Sequence, residues 1–420
     1  MRILYLVYAQ QKTFASFEKD PKTGFSWVDA LLNELSKNQS LNIALAVPIN
    51  ERTLQKKNEN GIRLYGLPNQ PERNRIKRYY KRILYTIENK NINLYVEQVI
   101  SDFKPDVIQI FGSENPFGLI VNLDYNNVII HIQGYLFVCL KKWFSGISSW
   151  KLFRYTSFRN LLHFFGTYHT FFTFRKRSER EAQILMNCKY FLGRTEFDKR
   201  ITHLYAPDAK YYHCNELLRP EFFTKSWSME LTRNIGCVSI LNGSVYKGIE
   251  LLIETSKLLE EYSSFSFSFN VCGISEDEEL VRILKKIYRI EFGGINIKFL
   301  GKLTAEDLVS ELQSANLFIH PSHAENSPNS ICEAMALGMP IISTNVGGIP
   351  SIIKDKSEGL LIQEGEPYSL AAAILELINN YDMAKYYGNN AREKAFKRHN
   401  PKAVVNTLIN VYEDVIRTND

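Results

Sequence analysis

The sequence has few cysteines: only 6 in 420 residues. None forms a CxxC pair or lies at zinc-ligand spacing from a histidine, and several lie inside apolar runs of strand length. This usage argues against a disulfide-stabilised secreted domain and against a zinc module. We therefore expect free, buried thiols and a reducing compartment. The cysteines are Cys139, Cys188, Cys214, Cys237, Cys272 and Cys332.

Long hydrophobic runs are missing as well. No stretch approaches the ~20 apolar residues that a helix needs to cross a bilayer. The opening MRILYLVYAQQ is too short for a signal peptide and is followed by no small-residue cleavage site. We expect it to form a first buried strand. The hydrophobic content of 45% is ordinary for a globular protein, and this length predicts two to three domains.

Acidic residues are missing from residues 141–177, which contain eight lysines and arginines among many aromatic side chains. Three interpretations are open: a surface that lies on an anionic bilayer, a core helical hairpin with basic flanks, and a nucleic-acid surface. No signature of an RNA- or DNA-binding module accompanies the stretch, so we expect no nucleic-acid partner. Residues 73–82 add six positive charges. An anionic membrane surface is the expected partner of both stretches.

The charge also differs between the two halves of the chain. Residues 1–217 contain 31 Lys+Arg and 19 Asp+Glu, a charge of +12, whereas residues 218–420 contain 20 and 26, a charge of −6; together they give the total of +6. This asymmetry predicts two domains with different partners. The expected division is a first domain over 1–218, a linker over 219–234, a second domain over 235–400 and a terminal helix over 401–420 that returns to the first domain.

Apolar runs of strand length alternate with amphipathic stretches of helix length in both halves. In the first half we expect strands at 3–7, 41–47, 62–66, 107–111, 128–132, 190–192 and 210–214. In the second half we expect them at 237–241, 265–271, 297–300, 317–319, 341–343 and 359–362. The pattern predicts an α/β protein with parallel sheets, which bind ligands beyond the carboxyl ends of their strands. Residues 51–60 are expected to form a loop, and one helix is expected to follow 73–82 and end at Phe103.

The stretch from Asn316 to Ile353 predicts a strand, a polar loop, a helix and a second strand. Ser327 followed by Pro328 is a typical helix start, with a hydroxyl as N-cap and a proline at the first helical position. The unpaired N–H groups at such a start favour an anion. We therefore expect a donor phosphate to contact Ser327, Asn329 and Ser330.

Two glutamates, Glu325 and Glu333, flank this helix start. Carboxylates there would repel a bare phosphate, so we expect them to accept hydrogen bonds from hydroxyl groups. Their spacing, with the EAMALGMP helix end and the GGIP turn, resembles the Glu-x7-Glu motif of retaining GT-B glycosyltransferases of family four. The resemblance implies two Rossmann-like domains that face a central cleft. It also implies that Glu333 holds the nucleotide ribose and that Glu325 lies beside the donor sugar as a catalytic residue.

A second motif follows the strand expected at 237–241. The family places an arginine and, five residues later, a lysine here to neutralise the donor diphosphate, and this sequence has Asn242 and Lys247. A lysine at a helix start opposes the helix dipole, so a bound anion explains Lys247 better than a solvated surface does. Lys247 is thus expected to serve catalysis and donor binding, and Gly273 and Gly301 are further candidates for donor contacts. The resemblance implies a UDP- or GDP-linked sugar as co-substrate and no metal or other cofactor.

Three positions in the first half are expected to line the acceptor side of the cleft. Gly24 matches one of the two glycines that open the first helix of the family, while Phe25 stands in the second place. Gln133 precedes Gly134 where many members have a histidine, and His131 lies two residues earlier. A glutamine cannot act as a base, although it can hydrogen-bond a sugar hydroxyl.

The expected function is transfer of a sugar from a nucleotide-sugar to a glycan or lipid-linked acceptor, in surface polysaccharide synthesis. The expected location is cytoplasmic, peripheral on the inner face of the cell membrane. Because Asn242 and Gln133 depart from the family pattern, a catalytically silent GT-B partner subunit is an alternative. A GT-B sugar-nucleotide epimerase is another, since it uses the same nucleotide site without an acceptor. The identity of the sugar and the acceptor lies beyond these motifs.

Overall fold

The computed structural model describes residues 1–8, 27–70, 72–86 and 91–419, which fold into two compact units. Unit 1 consists of Met1–Phe137, Phe172–Leu217 and the chain from His399 onward. Unit 2 consists of Val138–Phe171 and Leu218–Arg398. The sequence-based division places 138–171 in the first domain, whereas the structure assigns this segment to unit 2.

The sheet of unit 1 has eight strands within the described residues. They are β1 (Arg2–Val7), β2 (Asn42–Ile49), β3 (Gln55–Glu59), β4 (Ile62–Pro68), β5 (Val107–Phe111), β6 (Val128–His131), β7 (Tyr190–Gly193) and β8 (Lys210–His213). Their order across the sheet is β3-β4-β2-β1-β5-β6-β7-β8. All pairs are parallel except β3 with β4. The strand order therefore reverses between β1 and β5.

The sheet of unit 2 repeats this plan with six parallel strands within the described residues. They are β9 (Asn234–Ile240), β10 (Ser266–Cys272), β11 (Ile297–Gly301), β12 (Leu317–His320), β13 (Ile341–Thr344) and β14 (Leu360–Ile362). Their order is β11-β10-β9-β12-β13-β14, the Rossmann order, and it reverses between β9 and β12. At this reversal Cys237 pairs with Leu317 and Val238 pairs with Phe318. Ligands of such sheets bind beyond the strand ends at the reversal.

Helices connect the strands on both faces of the sheets. In chain order they are α1 (Trp27–Ser36), α2 (Arg75–Ile83), α3 (Ile92–Phe103), α4 (Leu136–Lys141), α5 (Ser149–Tyr155), α6 (Phe158–Leu162), α7 (Thr167–Asn187), α8 (Glu196–Tyr205), α9 (Glu221–Thr224), α10 (Ile249–Tyr262), α11 (Glu279–Tyr288), α12 (Ala305–Ser314), α13 (Asn329–Leu337), α14 (Ile349–Ile352), α15 (Pro367–Asn379), α16 (Tyr381–Arg398) and α17 (Pro401–Asn419). Among the described residues, none of these helices combines the length and the apolar character needed to cross a membrane. All six cysteines are free, and five of them are buried, as the sequence predicts.

The last helix, α17, folds with unit 1 and is joined to its sheet by buried hydrogen bonds. The hydroxyls of Tyr412 and Tyr5 lie 2.7 Å apart, and the Tyr412 hydroxyl donates to Oε1 of Gln109 at 2.6 Å. Nε2 of Gln109 then donates to Nδ1 of His131 at 3.2 Å. Burial, with the Arg194 charge adding to it, lowers the pKa of His131 to about 3. His131 is therefore a neutral core histidine.

Three stretches differ from the sequence prediction. Residues 51–60 contain β3, whose side chains are mostly exposed, so this edge strand lacks the apolar alternation that marks a half-buried strand. The charged stretch 73–82 contains a helix that the sequence analysis did not predict, α2, whereas the helix expected after this stretch is α3, which ends at Phe103. The expected linker 219–234 contains α9 and folds with unit 2. There the indole of Trp227 donates to the carbonyl of Ala315 at 2.7 Å.

A buried carboxyl in unit 1 gives a first prediction about stability. Glu181 of α7 is fully buried, and its two oxygens accept from the Ser113 hydroxyl at 2.9 Å and from the Leu136 N–H at 2.8 Å. Burial, with Glu114 adding to it, raises the pKa of Glu181 to about 8. Between pH ~4.5 and 8 this carboxyl is ionised in the unfolded chain but protonated in the folded protein. The folded protein therefore loses stability as pH rises through this range, on the order of 3 kcal/mol at pH 7.

We expect Glu181→Gln to raise the melting temperature at pH 8 by more than it does at pH 5, because the amide carries no charge. Thermal unfolding of the variant and the parent at both pH values measures this. Glu179→Gln is the matched control, since Glu179 lies on the same helix but is exposed. An equal effect of Glu181→Gln at the two pH values would contradict the assignment.

Candidate active site

Four loops of unit 2 follow strands on either side of the reversal between β9 and β12. They are residues 241–248 after β9, 273–278 after β10, 321–328 after β12 and 345–348 after β13. Because the strands are parallel, their carboxyl ends meet at one edge of the sheet. The residues singled out from the sequence, Lys247 and Glu325, lie in the first and third of these loops.

An ion pair between Lys247 and Glu325 forms the centre of this edge, with side chains only 16% and 10% exposed. Oε1 of Glu325 also accepts from the Ser322 hydroxyl at 3.0 Å and lies 3.0 Å from Nε2 of His320. Burial alone raises the pKa of Glu325, but the Lys247 ammonium and the His320 hydrogen bond outweigh it and hold this pKa well below its ordinary value. Glu325 is therefore an ionised carboxylate beside a buried cation.

The GGIP turn supports the loop that carries Glu325. Gly347 has φ 53°, and a Cβ atom added there would overlap the carbonyl oxygen of Glu325. The N–H of Gly348 donates to the same carbonyl at 3.4 Å. Further along, Oγ1 of Thr344 donates to the carbonyl of Ser322 at 2.6 Å. The close approach requires glycine at position 347 and fixes the backbone of the carboxylate loop.

We expect Gly347→Ala to displace this loop, because alanine adds both an unfavourable positive φ and a steric overlap. The left-handed conformation alone costs roughly 1–2 kcal/mol. The variant should melt at a lower temperature and bind a nucleotide-sugar more weakly, as thermal unfolding and calorimetry would measure. Gly294→Ala is the control, since a Cβ atom there meets nothing within 4 Å. A Gly347→Ala protein with the parent's melting temperature would contradict the role of the turn.

Glu333, in the second turn of α13, has a cationic partner that the sequence analysis missed. Its oxygens Oε1 and Oε2 accept from Nε and Nη2 of Arg219 at 2.8 Å and 2.9 Å. The guanidinium lies over the ring of Phe222, 4.8 Å from its centroid. Burial raises the pKa of Glu333 above its ordinary value, although the Arg219 charge opposes this. Each carboxylate oxygen has two acceptor sites, so the pairing with Arg219 leaves capacity for a ligand hydroxyl.

The start of α13 differs from the prediction in one detail. The helix begins at Asn329, with Pro328 rather than Ser327 at the N-cap, and no side chain of the described residues caps it. Pro328 keeps an extended ψ of 117°, so its own carbonyl accepts the first helical hydrogen bonds, from Ile331 and Cys332. Contact of a ligand with Ser327, Asn329 and Ser330 stays a prediction.

The other donor-side candidates lie at neighbouring strand ends. Gly273 and Gly301 both have positive φ, and their N–H groups donate to the carbonyls of Gly301 and Ile274 at 2.7 Å and 3.0 Å. Both N–H groups are thus engaged in hydrogen bonds that connect the two strand ends. At the place of the family arginine, Oδ1 of Asn242 accepts from the N–H of Ser244 at 3.0 Å. A donor contact through either glycine stays a prediction.

The acceptor-side candidates belong to unit 1. Gly24 lies outside the described residues. Gln133 and Gly134 follow β6, both partly buried. The side chain of Gln133 donates to the carbonyl of His131 at 3.3 Å, and the buried Arg194 guanidinium lies 3.5 Å from its Oε1. The structure therefore places a basic group beside Gln133, which no local motif indicates.

The structure adds three partners to the predicted pair of glutamates. His320 and Ser322 contact Glu325, and their closeness in the sequence HPSHAE could have indicated them. Arg219 pairs with Glu333 from 114 positions away, so no local pattern could have shown it.

Solved structures show the class to which this arrangement belongs. The chain superposes on sucrose-phosphate synthase from Thermosynechococcus elongatus with a TM-score of 0.71 at 14% identity, over 100% of both chains. It superposes on Anabaena HepE, in complex with UDP, with a TM-score of 0.64 at 13% identity, over 99% of this chain and 100% of that one. Two Rossmann-like units with these sheets define the GT-B fold.

Sequence comparison then gives the family. Residues 237–394 match the model of Glycosyl transferases group 1. An uncharacterized glycosyltransferase of Methanocaldococcus jannaschii is 30% identical over 169 residues, 40% of this chain and 45% of the relative. A putative colanic acid biosynthesis glycosyltransferase of Salmonella typhimurium is 26% identical over 185 residues, 42% of this chain and 45% of the relative. The match thus covers less than half the length of these curated relatives.

Proposed function

We propose that the protein is a retaining glycosyltransferase that moves a sugar from a nucleotide-sugar donor to a glycan or lipid-linked acceptor. The observation that carries this is the buried Lys247–Glu325 pair at the strand reversal of a Rossmann sheet. At this edge of the sheet, Lys247 supplies a cation for the departing diphosphate, and Glu325 supplies an ionised carboxylate that can accept hydrogen bonds from sugar hydroxyls. The solved HepE complex contains UDP, and relatives named for colanic acid and capsular polysaccharide biosynthesis support a donor of this kind and a polysaccharide context.

In this proposal, negative charge builds on the leaving diphosphate as its bond to the sugar breaks. The Lys247 ammonium has three protons, so it can hold Glu325 and a phosphate oxygen together. The first N–H groups of α13 provide further fixed donors, and such preorganised groups stabilise a transition state without reorganising. The Lys247, His320 and Ser322 groups all meet Oε1 of Glu325. We propose that its other oxygen binds the sugar and that Glu333 binds the ribose.

The same chemistry supports transfer without a metal ion or other cofactor. A divalent ion held by Glu325 would bring two further positive charges beside the Lys247 ammonium. We propose that this ammonium replaces a metal as the counter-charge of the diphosphate. Turnover should then be unchanged after dialysis against a chelator, and a loss restored by added Mg²⁺ would overturn this part of the proposal.

A catalytically silent partner subunit is the second candidate, favoured by Asn242 and Gln133. A thermal-shift screen against UDP-, GDP-, ADP- and CMP-sugars, followed by a nucleotide-release assay with each stabilising donor, separates the candidates. We expect a UDP- or GDP-linked sugar to raise the melting temperature and to release nucleotide slowly. Binding without release from any donor would support a silent subunit. An altered sugar still linked to nucleotide would support an epimerase.

We also propose that the protein lies on the inner face of the cell membrane. The structure divides the aromatic side chains of 141–177 between the core and the surface: Trp143 is buried, whereas Trp150, Phe158 and Phe165 are 64%, 79% and 58% exposed. Lys151 and Arg154 accompany Trp150 on α5, and Arg159 follows Phe158 on α6. In unit 1, α2 has no buried residue and carries five basic ones. Apolar rings beside cations suit the interface of an anionic bilayer.

Liposome flotation tests this surface. The parent protein should float with vesicles that contain anionic lipid and should remain in the bottom fraction with neutral vesicles. Each Lys or Arg near an anionic surface adds ~1 kcal/mol to the binding free energy. A Trp150→Ser/Phe158→Ser variant should float less. The control is Tyr368→Ser, which changes a ring 66% exposed on α15. Equal flotation with both kinds of vesicle would contradict the proposal.

A further inference from the structure

A buried histidine bridges two carboxylates next to the site. Nε2 of His323 lies 2.5 Å from Oε1 of Glu250 on α10, and Nδ1 lies 3.0 Å from Oε1 of Glu364, which follows β14. The imidazole is 2% exposed. Both ring nitrogens thus face carboxylate oxygens, and with both glutamates ionised only the doubly protonated ring can donate to each of them. His323 is therefore an imidazolium that joins α10 to the end of β14.

The two carboxylates are also contacted by the segment that follows α4. Nζ of Lys142 donates to Oε2 of Glu364 at 2.5 Å. Gly146 lies so close to Glu250 that an added Cβ atom would overlap its carboxylate. Two cations and two carboxylates balance in charge within this cluster. The segment, although many residues separate it in sequence from the rest of unit 2, completes the surroundings of His323.

The cluster is connected to both loops of the candidate site. The N–H of His323 donates to the carbonyl of Tyr246 at 2.8 Å, and Lys247 is the next residue along the chain. The ring of Trp143 packs against the ring of Tyr246, with centroids 5.7 Å apart. Glu325 lies two residues beyond His323. The bridge therefore lies where the Lys247 loop and the Glu325 loop are joined.

We propose that His323 is a positioning residue, whose bridge between Glu250 and Glu364, closed by residues 142–146, holds the Lys247 and Glu325 loops at the separation that their ion pair requires. The effect on catalysis rests on the proposed function, but the effect of the bridge on the two loops can be tested without any donor. It assigns residues 142–146 a part in the donor site that their place in the sequence does not indicate.

The charges that face His323 make the bridge sensitive to pH. Burial opposes the charge on His323, but Glu250 and Glu364 outweigh it and raise its pKa above the ordinary value. The groups around the ring are Glu250 from α10, Glu364 after β14 and Lys142 after α4. Loss of the proton at alkaline pH would leave two buried carboxylates with one cation. The bridge should therefore weaken as pH rises through the raised pKa of His323.

Hydrogen–deuterium exchange of the full chain tests the bridge, with three variants compared with the parent. His323→Gln removes the positive charge of the bridge. Gly146→Ala places a methyl group against the Glu250 carboxylate, at a position that belongs to neither loop. Gly293→Ala is the matched control, because a Cβ atom there meets nothing within 4 Å. We expect exchange in 242–248 and 321–326 to rise roughly tenfold in both test variants and to stay at the parent rate in the control, since local opening governs exchange.

Turnover provides the second readout. With a donor identified by the thermal-shift screen, His323→Gln should lower kcat by about tenfold with little change in KM, because the group acts on geometry rather than on binding. We expect kcat of the parent to fall at alkaline pH as His323 loses its proton, and His323→Gln should remove this fall. Loops that exchange at the parent rate in both test variants would overturn the inference. If exchange in the two loops rises in both test variants but the parent turns over no donor, the positioning role of His323 is supported and the proposed function is contradicted.

Discussion

Glu325→Gln is expected to lower turnover by roughly 10²–10³-fold, the loss typical when one preorganised electrostatic group is removed from a transition state. The amide keeps the size of the side chain but loses the negative charge. Lys247 then lacks its partner, and the sugar lacks the carboxylate. Steady-state release of nucleotide from the donor found in the screen measures the change, and kcat should fall more than KM rises.

Variants of both members of the Lys247–Glu325 pair make this test sharper than one variant alone. Lys247→Met should lower turnover by a similar factor, and the double variant should be little worse than either single one, because groups that act together are not additive. Glu260→Gln, at an exposed position on α10, is the control. Normal turnover in Glu325→Gln would remove this residue from the mechanism, and fully additive losses would show that the two residues act separately.

Arg219→Met should have the largest effect on stability, on the order of 3–5 kcal/mol at pH 8, because it leaves the buried Glu333 without its counter-charge. The carboxyl can escape this cost by taking up a proton, and its pKa is already raised by burial in the parent. The loss should therefore be greatest above the raised pKa of Glu333 and shrink as pH falls through it. Urea unfolding at pH 5 and pH 8 measures both limits.

Two further variants test this explanation. Arg219→Met/Glu333→Gln should recover most of the lost stability, since a buried pair replaced as a whole is often tolerated. Arg392→Met is a useful comparison, because Arg392 stacks on Phe396 at 4.8 Å as Arg219 stacks on Phe222 but pairs with carbonyls. A loss in Arg219→Met that is independent of pH would mean that stacking, and not charge, stabilises this region.

Much of unit 2 could be predicted because its signals are local. The strands β9 to β14 are short apolar runs between polar loops, and Lys247 and Glu325 follow two of them directly. The strand order then brings these two loops to the same edge, as the rule for parallel sheets requires. The glycines of the GGIP turn could be recognised as special, although only the structure shows that Gly347 contacts the carbonyl of Glu325.

What could not be predicted depends on contacts between distant parts of the chain. Arg219 meets Glu333 and Lys142 meets Glu364 across 114 and 222 positions, and neither pair has a pattern of its own. β3 was missed because an exposed edge strand has no apolar face to reveal it. The interleaved basic and aromatic composition of 141–177 could not show which rings enter the core, since buried and exposed rings are alike in sequence.

The segment 138–171 has a consequence for how the gene can be divided. A fragment that begins at residue 218 would encode every strand of unit 2 and yet lack α5, α6 and the lysine that meets Glu364. Such a fragment should expose Tyr246 and aggregate when expressed alone. Natural recombination faces the same limit: exchanging unit 2 between relatives requires two separate pieces of DNA to move together.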